Sequence, residues 1–119
     1  MKKLEDLITT YKDFPKKGID FKDVLEILQY PDIFQDIILE MSSNPFLKNA
    51  EAIISIDARG FIFGSAVALE SSKPMLVARK PGKLPGQILT REYDLEYGKN
   101  SLSLQSNALR KYHSFVIID

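Results

Sequence analysis

Twelve residues, Ile53-Ile54-Ser55-Ile56-Asp57-Ala58-Arg59-Gly60-Phe61-Ile62-Phe63-Gly64, constrain the fold more than any other stretch. The short β-branched run before Asp57 predicts a strand covered on both faces, as in a parallel sheet with helices above and below it. After the polar turn, the spacing from Phe61 to Ser71 predicts a helix, and Gly64, Ala66 and Ala68 let it lie close on the strands. In an open α/β sheet ligands bind in the crevice outside the carboxyl ends of the strands, and Asp57 to Gly60 fall there. The helix would aim its free N–H groups into that crevice, and Arg59 adds a guanidinium fork suited to phosphate oxygens. Taken alone, the turn fits an anion site or an ordinary strand-turn-helix unit with a solvated arginine.

A second element bears on that choice. Pro74 opens a buried strand, Met75 to Ala78, and the chain then changes abruptly to Arg79-Lys80-Pro81-Gly82-Lys83-Leu84-Pro85-Gly86. Such a charge run is by itself usually a solvated surface. The carboxyl-end rule, however, puts this stiff basic loop beside Arg59, and the two turns together suit a ligand with several negative charges, such as a pyrophosphate. Lys plus Arg equals Asp plus Glu at 16 each, so anion binding has to come from such local clustering, and no overall field for nucleic acid exists.

At 119 residues the chain is one domain's worth. It has no cysteine, which excludes disulfides, thiolate chemistry and Cys-based zinc sites and fits a reducing compartment. Phe61 to Leu69 is too short to span a bilayer, and Met1-Lys2-Lys3 is followed by Leu4-Glu5-Asp6 rather than an apolar core. The expectation is a cytoplasmic protein with no membrane partner. The single His113 has no partner ligands for a metal, and no metal site is expected.

Leu4, Leu7 and Ile8 predict a short helix from Lys2 to about Thr10, broken by Pro15 and Gly18. Ile19 to Asp23 is too short and mixed for a core strand, and Val24, Leu25, Ile27 and Leu28 suggest a helical turn packing inward. Phe21, between charged residues, is either a half-buried anchor or an exposed ring for a flat ligand. A helix is expected from Pro31 through Ser42, with Ile33, Phe34, Ile37, Ile38 and Met41 facing the core, and Phe46-Leu47 should tuck under the sheet. Gln87 to Tyr93 and Ser101 to Gln105 alternate as an antiparallel pair, with Gly98-Lys99-Asn100 as the turn and Asp94 to Gly98 at the tip. Asn107-Ala108-Leu109 is a brief turn or helix, and Phe115 to Ile118 a last buried strand ending at Asp119.

Asp13-Phe14-Pro15, Gly18, Phe21-Lys22-Asp23, Asp57 to Gly64, Arg79 to Pro85 and Leu95-Glu96-Tyr97-Gly98, in this order, resemble the adenine phosphoribosyltransferases. The match extends from about Asp13 to Asp119, and the basic loop with the Leu-Glu-Tyr-Gly tip is its most specific part. The resemblance implies an α/β type I phosphoribosyltransferase fold: a parallel sheet flanked by helices, a hood from residues 1–30, a β-hairpin flexible loop, and a single domain over 1–119 that is incomplete at its C-terminus. It implies purine salvage, in which adenine and phosphoribosyl pyrophosphate (PRPP) give AMP and pyrophosphate, with Mg²⁺ carried in on the pyrophosphoryl substrate, and a homodimer.

Residue by residue, the resemblance sets adenine against Phe21, near the main chain of Asp20 and beside Lys22. Asp57, Ala58, Arg59 and Gly60 become the pyrophosphate turn, in which a peptide bond can be cis. Arg79, Lys80 and Lys83 add charge on the leaving group, one of them by way of a partner subunit. Glu96 and Tyr97 sit as catalytic residues on the closing loop, and Asp119 faces the ribose. Displacing pyrophosphate from the anomeric carbon passes through a cation-like centre, so preorganised cations and N–H donors must collect negative charge on the leaving group while a closing loop excludes water.

The family continues after this strand through Asp-Asp-Leu-Leu-Ala-Thr-Gly-Gly-Thr, the cradle for the sugar 5-phosphate. Residues 1–119 hold only its first Asp, so impaired turnover is expected of them as they stand. A binding module without turnover and a guanine or hypoxanthine transferase are the alternatives.

Overall fold

The structure is a computed structural model that describes residues 4–95 and 98–119. The chain forms two compact units, Met1–Ile37 and Ile38–Asp119.

In the first unit a 3-10 turn, Leu4–Leu7, leads into strand β1, Thr9–Tyr11, which pairs antiparallel with β2, Phe21–Asp23. The helix expected as far as Thr10 is therefore a single turn. Thr9, Thr10 and Tyr11 are β-branched or aromatic, and pairing Thr9 with Asp23 and Tyr11 with Phe21 gives their backbone a ladder that a short helix lacks. The connection is fastened by Asp13, whose carboxylate accepts the Gly18 N–H at 2.7 Å, and by Phe14 N–H donating to the Ile19 carbonyl at 3.0 Å. Asp23 then caps a 3-10 helix, Val24–Gln29, by accepting the Leu25 N–H at 3.1 Å. Ile27 is buried as expected, whereas Leu25 is exposed. Helix α1 runs Pro31–Ser42, with Pro31 where its missing N–H costs nothing.

In the second unit, α2 (Pro45–Asn49) is capped by Asn44, which accepts the Phe46 N–H at 2.9 Å. Leu47 is buried, but Phe46, expected beneath the sheet, is 80% exposed. Neighbouring helical positions point about 100° apart, and this five-residue helix turns Leu47 inward and leaves Phe46 on its outer side. Strand β3, Ala52–Ile56, follows, then α3, Arg59–Ser71, and β4, Met75–Ala78. β3 is the middle of a parallel sheet ordered β4-β3-β7, where β7 is Phe115–Ile118; Ile54 lies beside Leu76 on one side and Ile117 on the other. This is the buried parallel strand that the apolar run predicts. One core cluster joins Ala52, Ile54, Leu76 and Ala78, with Leu104, Tyr112 and Phe115 packed against it. Elsewhere on β3, Ser55 meets α3 at Gly64, where a Cβ would lie 2.9 Å from that of Ser55.

Strands β5, Ile88–Leu95, and β6, Gly98–Gln105, form the expected antiparallel hairpin, but Gly98, Lys99 and Asn100 are strand rather than turn. Their register pairs Asp94 with Lys99 and Leu95 with Gly98, and Lys99 makes an ion pair with Glu92 at 3.4 Å. Glu96 and Tyr97 lie outside the described residues. A short helix α4, Ser106–Leu109, leads toward β7. No helix among the described residues is long and apolar enough to cross a membrane.

Candidate active site

Asp57 continues the β3 ladder by donating its N–H to the Ala78 carbonyl at 2.9 Å, so the central turn and the basic loop leave the sheet side by side. The Asp57–Ala58 peptide bond is cis. Ala58 is the N-cap of α3 and has no side-chain oxygen to cover the first N–H groups; that of Phe61 donates to the Ala58 carbonyl at 3.1 Å, and those of Arg59 and Gly60 have no side-chain cap. Arg59, the first helical residue, pairs with Asp119 at the end of β7, 3.6 Å apart. Gly60 is required where it stands: a Cβ there would collide with the Ile118 carbonyl oxygen and lie 3.3 Å from the Asp119 Cα. Three strand ends thereby meet at one edge.

The basic loop is tied to the same point. Lys80 to Lys83 form a β-turn with Pro81 and Gly82 at its centre, closed by Lys83 N–H donating to the Lys80 carbonyl at 3.3 Å. Gly82 has φ +83°, the value that the third position of a type II turn demands. Asp57 Oδ2 accepts the Lys80 N–H at 3.4 Å and faces Arg79 Nε at 3.6 Å. Arg79 Nη1 donates to the Lys83 carbonyl at 3.4 Å. Among the described residues the ammonium groups of Lys80 and Lys83 have no ion-pair partner.

Sequence reasoning missed Ser103. This buried residue exchanges backbone hydrogen bonds with Arg79, 3.0 Å in one direction and 2.7 Å in the other, and its hydroxyl meets Thr90 Oγ1 at 2.8 Å. The hairpin is thus sewn to the residue that opens the basic loop. Nothing in the sequence marked it, because in Ser101-Leu102-Ser103-Leu104-Gln105 it stands at an ordinary polar position of the alternation.

Asp20, Phe21 and Lys22 belong to the N-terminal unit. Phe21 stays 38% exposed and packs edge-on against Phe14, ring centroids 5.2 Å apart. Tyr11, Phe14, Phe21, Asp23 and Leu25 line a largely apolar hollow of about 280 Å³. Tyr11 and Phe14 had no assigned role in the sequence, because they reach Phe21 only through the β1–β2 pairing.

The chain is 89% identical over 119 residues to an adenine phosphoribosyltransferase of Prochlorococcus marinus strain AS9601, covering all of this chain and 70% of that protein. It belongs to the adenine phosphoribosyltransferase family. No family model matches it. A relative from Mycoplasmopsis synoviae is 44% identical over 116 residues, 98% of this chain and 68% of its own. Among solved structures, the adenine phosphoribosyltransferase of Thermoanaerobacter pseudethanolicus superposes with a TM-score of 0.79 at 38% identity, over 89% of this chain and 63% of that one. The Saccharomyces cerevisiae enzyme, solved with adenine and an imino-altritol bisphosphate, gives 0.78 at 33% identity, over 88% and 62%. The chain thus spans about three fifths of these solved relatives. The family's members are pentosyl transferases of purine salvage, and the parallel sheet flanked by helices is their type I fold.

Proposed function

We propose that this protein transfers a phosphoribosyl group to adenine, forming AMP and pyrophosphate. The observation that carries the reading is the Asp57 carboxylate joining two loops 23 residues apart, which sets the start of the Arg79–Lys83 loop beside the Asp57–Gly60 turn; we read the cations of the two as facing one crevice. A diphosphate leaving group needs such a crevice, and the α3 N-terminus adds N–H donors to it. Mg²⁺ enters chelated by the oxygens of the PRPP substrate. Asp119, beside Arg59, is suited to the ribose hydroxyls, and Glu96 and Tyr97 are assigned to the loop that excludes water during transfer.

In this reading residues 1–119 act as one phosphoribosyltransferase domain whose first thirty residues supply the hood and take the base. The aromatic hollow of Tyr11, Phe14 and Phe21 has the volume and apolar lining that suit a purine ring, with Asp20 and Lys22 next to Phe21 in the chain. The S. cerevisiae relative was crystallised with adenine and a Giardia lamblia relative, at 33% identity, with 9-deazaadenine, which supports adenine as the base. A cytoplasmic homodimer is the assembly we propose.

Equilibrium binding tests the reading. Calorimetry with adenine, guanine and hypoxanthine, and separately with magnesium pyrophosphate, should give binding of pyrophosphate and preference for adenine by tenfold or more, about 1.4 kcal/mol. Preference for guanine or hypoxanthine would reassign the base, and absence of pyrophosphate binding would refute the transferase reading. Tight binding of both ligands with no AMP formed by a chain of the relatives' length would leave a binding module.

A further inference from the structure

An acid is the unexpected residue in a crevice for a polyanion. A carboxylate near a pyrophosphate repels it, and the Asp57 side chain is only 11% exposed, so water does little to screen it. Its two neighbours show what it does instead. One carboxylate oxygen faces both Arg79 Nε at 3.6 Å and the Lys80 backbone N–H at 3.4 Å, which sets the direction in which the basic loop leaves β4. Arg79 is engaged in the same arrangement. Its buried Nε lies 3.6 Å from the Asp57 carboxylate without a hydrogen-bond partner among the described residues, its Nη1 donates to the Lys83 carbonyl, and its backbone holds Ser103 of the hairpin.

We propose that Asp57 is a positioning residue that acts through Arg79 and the Lys80 amide, and that the pyrophosphate charge is met by Arg59, Lys80 and Lys83. Asp57 and Arg79 neutralise each other and form a strut across the crevice floor. The strut holds the Lys80-to-Lys83 turn, whose two ammonium groups have no ion-pair partner among the described residues. The inference rests on the reading of this crevice as a pyrophosphate site.

The sign of one measurement separates the possibilities. If Asp57 only contributes its charge, Asp57→Asn removes a repulsion and tightens pyrophosphate binding; if it positions the loop, the same change weakens binding. Calorimetric titration of magnesium pyrophosphate into the wild-type protein, D57N, R79Q and the double variant is the experiment. We expect D57N to bind about fivefold more weakly or worse, R79Q likewise, and the double variant no more weakly than the poorer single one, because both changes break the same strut. Amide exchange supplies a second readout that a general loss of stability would not give: the Lys80 amide in D57N should exchange about tenfold faster while the Ile53–Ile56 amides keep their protection. The double variant leaves neither charge unpaired and so reports even where D57N does not fold; pyrophosphate affinity equal to wild type in it would overturn the proposal. Equal or tighter binding by D57N, unchanged Lys80 exchange, or fully additive losses would overturn it while leaving the pyrophosphate site in place. No binding by the wild-type protein would overturn both.

Discussion

Gly60→Ala tests whether the three strand ends are held as tightly as the geometry says. On helix propensity alone the change should help, since alanine is favoured over glycine in a helix by about 1 kcal/mol. The new methyl, however, would overlap the Ile118 carbonyl oxygen and lie 3.2 Å from its carbon and 3.3 Å from the Asp119 Cα. All three atoms are backbone, so no side-chain rotation relieves the contact and the end of β7 must move. Overpacking of this kind costs about 1–3 kcal/mol, and so rigid a contact belongs at the upper end. Setting about 3 kcal/mol against the 1 gained leaves about 2 kcal/mol of destabilisation. Urea unfolding followed by far-UV circular dichroism should show a lower midpoint at an unchanged slope. Binding should suffer as well, because moving Asp119 separates it from Arg59, now 3.6 Å away. A G60A protein at least as stable as wild type would refute the reasoning, since it would mean that β7 does not rest on the start of α3.

Gly64→Ala should destabilise by about 2 kcal/mol for a related reason, its Cβ lying 2.9 Å from the Ser55 Cβ; urea midpoints check this. Ser55→Ala should change the midpoint little or raise it, because among the described residues the buried Ser55 hydroxyl has no hydrogen-bond partner to lose. Phe21→Ala should weaken adenine binding by about 1–3 kcal/mol, the usual worth of stacking a base on an aromatic ring, while leaving magnesium pyrophosphate affinity unchanged by calorimetry. Lys83→Ala should weaken pyrophosphate binding and flatten its dependence on salt between 50 and 200 mM, roughly the range over which exposed charges become screened. A Lys83→Ala protein with the wild-type salt slope would exclude that ammonium from the site.

The parts of this molecule legible in its sequence are those whose causes are local. Ile53 to Ile56 declared a covered strand through its own side chains, and Pro81 with Gly82 declared a turn. The carboxyl-end rule then sufficed to bring Asp57 and Lys80 to one edge. What the sequence hid depends on partners far along the chain. Thr9 to Tyr11 is extended because Phe21 to Asp23 pairs with it, and no periodicity within three residues carries that information. Gly98 looked like a turn because glycine usually punctuates, yet eight consecutive cross-strand pairs outweigh one residue's preference.

Asp57 is the sharpest case. Its position in the turn was plain, but its work was not, because the atoms it contacts are 22 and 23 residues downstream and one of them is a backbone amide that any residue but proline could have supplied. Composition could only count it among the charges of the crevice. The geometry makes it the counter-charge that lets an arginine be used as a structural strut without adding to the field, and so separates the cations that hold the loop from those that meet the ligand. That division predicts different behaviour for chemically similar residues. Replacing Arg79 should slacken the loop and expose the Lys80 amide to exchange, whereas replacing Lys83 should leave that amide protected and remove charge alone.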